Sequence, residues 1–168
     1  MNEQVTTYNK AKSHAGTKAT QLTGADADQA VKRVSDFLSN IGSEEYIKRE
    51  ISKVYAEDAY LNDTLKSLTN RDQIKDHFVK TSRTMTHYSL EIDDVMSTDK
   101  GHYLRWTMKF SAPKLAKGEE IVSIGMSHII FDNDGKVLLH QDFWDSSSGL
   151  FEHVPFVGGG IRLVKKRL

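Results

Sequence analysis

His140 and Asp142 stand two positions apart near the end of an apolar run, Lys136 to Trp144, and an imidazole beside a carboxylate is a proton-transfer pairing. Strand residues alternate sides, so this run puts Leu138, His140, Asp142 and Trp144 on one face and Val137, Leu139, Gln141 and Phe143 on the other. On the wall of an apolar cavity such a pair relays a proton: burial raises a carboxyl pKa, a neighbouring imidazolium lowers it, and either group can approach neutrality. The plainer alternative is a hydrogen-bonded polar pair at a strand end, because buried polar groups need partners whether or not anything turns over. Asp63, next to Asn62, is a second candidate carboxylate, with capping of the following turn as its plainer role. Tyr55, Tyr60, Phe78, Trp106 and Trp144 are candidates for a stacking wall around a planar ligand, against ordinary core packing. His128, His140 and His153 have carboxylates nearby, but neither a facing His-x-His pair nor a His-Glu-x-x-His helix is present, so neither metal nor cofactor is expected.

Composition narrows the classes that this chemistry can serve. The 168 residues carry 23 Lys+Arg and 23 Asp+Glu, a formal net charge of zero, which argues against a chain-wide electrostatic footprint for nucleic acid. Hydrophobic residues are 38% and charged residues 27%, enough apolar surface for one folded domain and too little net charge for a disordered chain. With no cysteine, disulfides, thiolate metal sites and cysteine nucleophiles are excluded. No segment approaches the roughly 18 consecutive apolar residues of a membrane span, and Met1-Asn2-Glu3-Gln4 lacks a signal pattern, so the expectation is a cytoplasmic protein. Arg162, Lys165, Lys166 and Arg167 alternate with Ile161, Leu163, Val164 and Leu168 in a segment too short for stable membrane association. That segment is expected to be a helix packing its apolar stripe on the domain, with cations at its C-terminal end.

The elements that must position these residues follow from periodicity. Residues 1–28 are poor in large apolar side chains and read as a flexible N-terminal tail. From a cap at Asp26 or Asp28, Val31, Val34, Phe37, Leu38 and Ile41 recur at helical spacing until Gly42. Ser43 with Glu44 and Glu45 opens a second helix carrying Tyr46, Ile47, Ile51, Val54 and Tyr55, and Asn70 caps a third with Ile74, Phe78 and Val79. Four strand-like runs follow, at 87–95, 102–112, 120–131 and 136–144, which predicts an antiparallel meander. Helices first and sheet afterwards is an α+β layout with the helices on one face. Residues 29–150 form the domain and 151–168 a basic, helical extension. His128 alternates with Met126 and Ile130 on the expected outer sheet face, where it reads as a dimer contact.

The order Val54-Tyr55-Ala56-Glu57-Asp58-Ala59-Tyr60-Leu61-Asn62-Asp63, Asn70-Arg71-Asp72, Asp134-Gly135-Lys136-Val137 and Phe143-Trp144-Asp145 resembles the nuclear transport factor two superfamily. Within it the likeness is closest to SnoaL-like proteins, which include polyketide cyclases, and more distant to ketosteroid isomerase. The resemblance spans roughly Ala30 to Asp145. It implies a cone-shaped α+β barrel of a curved, mainly antiparallel sheet, with the N-terminal helices packed on its concave face around a deep apolar pocket. It also implies that the outer sheet face forms a homodimer and that the ligand is an apolar or polycyclic small molecule.

By that resemblance Asp142 takes the position of the cyclase acid/base aspartate and Asp63 that of the isomerase general base, with Asn62 at the pocket rim. The isomerase's oxyanion donors fall by spacing near Ser35 and Ser127, so steroid isomerisation loses its largest electrostatic contribution. Tyr55 and Trp144 are the aromatics that the family favours as ligand contacts. The expected function is therefore a cofactor-independent isomerase or cyclase using Asp142, His140 and Asp63. A ligand-binding or dimerisation module without chemistry is the alternative.

Overall fold

The computed structural model describes residues 3–155 and 157–167. Helix α2 spans Gly24–Ser39, α3 Glu44–Val54 and α4 Arg71–Ser82. The caps read in the sequence form at α3, where the Ser43 side chain accepts from Tyr46 N, and at α4, where Asn70 accepts from Gln73 N. Helix α2 starts before both candidate aspartates, with Thr23 at the cap position and no side-chain cap bond. Its buried face is Ala27, Ala30, Val34, Phe37 and Leu38; α3 buries Ile47, Ile51 and Val54 one helical turn apart.

Strands β1 (Tyr55–Asn62), β2 (Ser67–Leu68), β3 (His87–Thr98), β4 (Gly101–Ser111), β5 (Ile121–Phe131) and β6 (Val137–Trp144) form one sheet in the order β2-β1-β6-β5-β4-β3. The meander of β3 to β6 is antiparallel throughout, and β1 returns parallel to β6. Register shifts between Ile92 and Asp94 and between Ile130 and Phe131 interrupt the ladders. Such bulges bend strands, and the sheet curves around α2, α3 and α4 without closing. Phe37 meets the Tyr55 and Phe78 rings at 5.7 Å each, at the centre of the core between these helices and the concave face.

Two expectations are corrected at the N-terminus. Residues Glu3–Lys18 form helix α1 rather than a flexible tail, and α1 lies on the convex sheet face, opposite the other helices. Its contact stripe is Tyr8, Ala11 and Ala15, small enough to escape a search for large apolar residues. The Tyr8 ring packs edge-on against His128 and Phe143, while His14 and Lys18 both reach the Asp58 carboxylate. His128 is therefore not a free dimer contact. Only 1% exposed, it bonds Tyr8 Oη at 3.0 Å and the Lys100 carbonyl at 2.8 Å, and stacks on Tyr103. Val122, Ile124, Met126 and Phe143 remain exposed on the same face.

After β6, Asp145 caps the short helix α5 (Ser146–Gly149); a 3-10 turn over Phe151–His153 leads to helix α6 (Val157–Lys165). Of the apolar stripe expected to pack on the domain, Leu163 and Val164 are exposed, Ile161 is half-buried, and Leu168 lies outside the described residues. Polar bonds also hold α6: Arg162 Nη1 donates to the Glu152 carbonyl at 2.8 Å, and Lys165 Nζ lies 2.5 Å from Glu152 Oε1. Among the described residues no helix is long and apolar enough to cross a membrane.

Candidate functional site

The concave face and the helices enclose a cavity of about 250 Å³. Leu38 of α2 and Ile41 in the turn after it, Phe78 of α4, Tyr88 and Leu90 of β3, and Met108 and Phe110 of β4 give it apolar walls. Carboxylate and imidazole groups enter at two places, Asp142 with His140 and Ser127 on the sheet and Asp63 with His77 beside them, and Thr81 and Thr84 line the cavity as well. Trp106 and Trp144, the only two tryptophans of the sequence, both line it.

Asp142 sits at the head of a connected network. Trp106 Nε1–H donates to Ser127 Oγ at 3.0 Å, and the Ser127 hydroxyl donates to Asp142 Oδ1 at 2.5 Å. His140 Nε2 lies 2.8 Å from the same Oδ1, and its Nδ1 lies 2.7 Å from Tyr55 Oη. Tyr55 is fully buried and its hydroxyl proton needs an acceptor, which assigns Nδ1 as that acceptor and puts the His140 proton on Nε2, facing the carboxylate. Burial, with the Asp142 charge second, holds the Tyr55 hydroxyl well above its ordinary pKa, so it stays a donor. Both bonds to the carboxylate end on Oδ1; among the described residues none reaches Oδ2, and Asp142 is part of the cavity wall.

The packing that permits the network depends on Gly125. A Cβ there would lie 2.4 Å from the Trp106 ring atoms Cζ2 and Cη2 and 2.9 Å from Trp144 Cβ. The bare backbone of β5 thus lets the indole of β4 cross it to reach Ser127.

Asp63 is committed on both oxygens. Oδ1 accepts from the backbone N–H groups of Leu65 at 2.9 Å and Lys66 at 2.7 Å, the turn-capping role, while Oδ2 lies 2.7 Å from His77 Nε2. Burial pushes its pKa up, but the His77 hydrogen bond and charge and the two backbone donors outweigh this, and the carboxyl stays below its ordinary value. Its main-chain carbonyl accepts from Trp144 Nε1 at 2.8 Å, tying the turn to the end of β6.

Of the residues singled out in the sequence, the structure brings Asp63, Phe78, Trp106, Ser127, His140, Asp142 and Trp144 to one cavity. Tyr55 lies behind the wall, buttressing His140 rather than facing the space. Tyr60 and Asn62 are outside it. Strand β1 pairs Leu61 with His140 and flanks that pair with Tyr60 opposite Leu139 and Asn62 opposite Gln141, so Leu61 takes the inner face and its neighbours the outer one. Asn62 instead organises its own turn, bonding Tyr60 Oη, Ser67 Oγ and Thr64 N. Sequence reasoning missed His77, whose partner Asp63 lies 14 positions earlier across a turn and a strand pairing. Among the described residues no group of three or more His, Asp or Glu side chains is placed to hold a metal ion.

A sequence model of the SnoaL-like domain matches residues 44–140, more than half of the chain. No curated protein matches it significantly. Solved structures share the fold at low identity. A putative SnoaL-like polyketide cyclase from Shewanella putrefaciens CN-32 is 16% identical with a TM-score of 0.61, covering 75% of this chain and 94% of that one. An LEH-like epoxide hydrolase from M. tuberculosis is 13% identical with a TM-score of 0.58, covering 84% and 96%. A hypothetical protein with ketosteroid isomerase-like fold from Catenulispora acidiphila DSM 44928, solved in complex with trimethylamine, is 12% identical with a TM-score of 0.61, covering 75% and 93%. At such identities the likeness is one of fold, and function has to be argued from the site.

Proposed function

Since the chain belongs to the SnoaL-like domain family, we propose that it binds a compact apolar small molecule in this cavity and moves a proton on it, with Asp142 as the acid/base group. The observation that carries this reading is the asymmetry of that carboxylate. Its Oδ1 is held by Ser127 and His140, while Oδ2 accepts from none of the described residues and Asp142 lines the cavity, which leaves that oxygen available to a ligand proton. His140 and Tyr55 fix the ring tautomer behind it, as a buried base-orienting pair does in other acid–base sites. The apolar walls exclude water and strengthen whatever charge interaction forms on the ligand.

Cavity size narrows the ligand. At about 250 Å³ the space falls below the ~300–1,000 Å³ of drug-sized pockets, so the ligand is a molecule of one or two rings rather than a polycycle. Isomerisation, ring closure or addition of water across a strained ring are reactions that one such base serves. The homodimer belongs to this reading too, through the apolar strip Val122, Ile124, Met126 and Phe143 that α1 leaves open.

Both tryptophans line the cavity, so intrinsic fluorescence reports occupancy directly. A panel of compact cyclic ketones, enones and epoxides is titrated by fluorescence, and the binders are then followed for conversion. Asp142→Asn should bind within a few-fold of the parent while conversion falls about 10²–10⁴-fold, the usual worth of a general base. Equal conversion by the two proteins removes Asp142 from the chemistry. Binding without conversion of any compound leaves a ligand-binding module.

A further inference from the structure

Asp63 is the group that the resemblance puts forward as a base, yet both of its oxygens are already engaged. Oδ1 accepts from two backbone donors and Oδ2 lies beside His77 Nε2. A carboxylate with a partner on each oxygen and its pKa held down is poorly suited to take up a proton from a ligand. What it does have is a partner. As an acceptor-only group it fixes a proton on His77 Nε2, and its charge stabilises the ring when a second proton arrives at Nδ1.

His77 is part of the cavity wall, and its Nδ1 has no hydrogen-bond partner among the described residues. Nor is that nitrogen among the buried polar atoms that lack a partner. It is therefore the one nitrogen of the dyad open to a ligand. We infer that His77 is a second proton-transfer group of this cavity, oriented by Asp63, and that it handles an oxygen of the ligand while Asp142 handles the other reacting atom. The substrate class follows: a compact apolar body carrying an enolisable carbonyl, a phenol-like hydroxyl or a strained ether oxygen that takes up negative charge during reaction. The proton account closes without a co-reactant. With a second proton taken from solvent at Nδ1, His77 gives that proton to the ligand oxygen while Asp142 Oδ2 takes one from carbon or from water; for an isomerisation Asp142 then delivers its proton to a different carbon and His77 takes the oxygen's proton back, and for a net addition solvent carries the proton from Asp142 to His77.

This inference rests on the cavity being a ligand site and not on Asp142 being the base, so the two fail separately. The probe is 4-nitrophenol, a one-ring compound whose ionised form absorbs visible light. Parent protein should bind it as the phenolate. His77→Gln should weaken that binding about 10- to 100-fold, the worth of a charge-assisted hydrogen bond, and return the bound spectrum toward the neutral phenol. Asp63→Asn, which keeps an acceptor for the turn but removes the charge, should give the same spectral shift with a smaller loss. Asp142→Asn should bind the phenolate as tightly as the parent or more so. A measurement on the unsubstituted chain guards against a folding defect: in histidine-labelled protein the ¹⁵N spectrum should show His77 protonated at Nε2, with Nδ1 shifting on addition of the probe. Unchanged binding by His77→Gln, a silent Nδ1 signal, or loss of phenolate binding in Asp142→Asn alone overturns the inference.

Discussion

Tyr55→Phe isolates the deepest layer of the site. The change removes one hydroxyl and no ring, so the aromatic contacts of residue 55 with Phe37, Phe78 and His140 remain and no cavity opens. What is lost is the donor 2.7 Å from His140 Nδ1. His140 is only 2% exposed, so this nitrogen then lies buried with nothing to bond. An orphaned buried acceptor costs about 1–3 kcal/mol, against net gains of about 0.5–1.5 kcal/mol for an ordinary bond that water replaces. A chain of this size loses about 2–4 °C in Tm per kcal/mol, which sets the expected fall at about 2–12 °C. Urea unfolding followed by tryptophan fluorescence gives the free energy, and an unchanged m-value shows that the native and denatured ensembles are otherwise alike. The ring should also lose its single tautomer, visible as ¹⁵N shifts averaging between Nδ1–H and Nε2–H forms. A variant within about 0.5 kcal/mol of the parent, with the His140 tautomer intact, refutes the assignment of Tyr55 as the group that orients this histidine.

Three further outcomes are expected. Gly125→Ala should push the Trp106 ring off Ser127, since the new Cβ would meet it at 2.4 Å; overpacking and the lost bond together cost about 2–4 kcal/mol, and a crystal structure with the indole unmoved would contradict this. Stability should fall steeply above about pH 10, where burial holds Tyr55 and Tyr88 protonated in the native state while the unfolded chain ionises; raised native pKa values mean that stability is complete below the unfolded pKa and lost as pH rises. Urea midpoints across that range check it, and Tyr88→Phe should flatten the slope. Light scattering should give twice the 19.0 kDa monomer mass, with Ile124→Lys dissociating the dimer through the exposed β5 strip; a monomeric parent at micromolar concentration ends the dimer proposal.

How far the sequence reveals this molecule depends on the range of the interactions involved. Ser43 and Asn70 are legible as caps because a cap is a local bond spanning three residues. The meander is legible from alternation and the Asp132–Gly135 turn, and that same alternation puts His140 and Asp142 together on the inner face. Helix α1 is not, because its buried stripe of Tyr8, Ala11 and Ala15 carries little hydrophobic signal and is stabilised by His128 and Asp58, far along the chain. Tyr60 and Asn62 mislead for a related reason: the last four residues of β1 are all buried, so no polar face marks which side turns inward, and only the parallel register with β6 decides. His77 gives no local sign at all. A lone histidine on a helix becomes chemistry only when a turn 14 residues earlier delivers Asp63 to it.

The central claim is that Asp142 transfers protons on a ligand held in this cavity, and hydrogen exchange into carbon tests it most directly. A compact ketone that quenches the Trp106 and Trp144 fluorescence is incubated with the protein in D₂O, and loss of its α-proton signal is followed by NMR. The parent should exchange that proton well above the buffer rate, and Asp142→Asn should slow the exchange about 10²–10⁴-fold while still binding the ketone. Exchange that is equally fast in Asp142→Asn, or no better than buffer in the parent for every ketone that binds, would contradict the account.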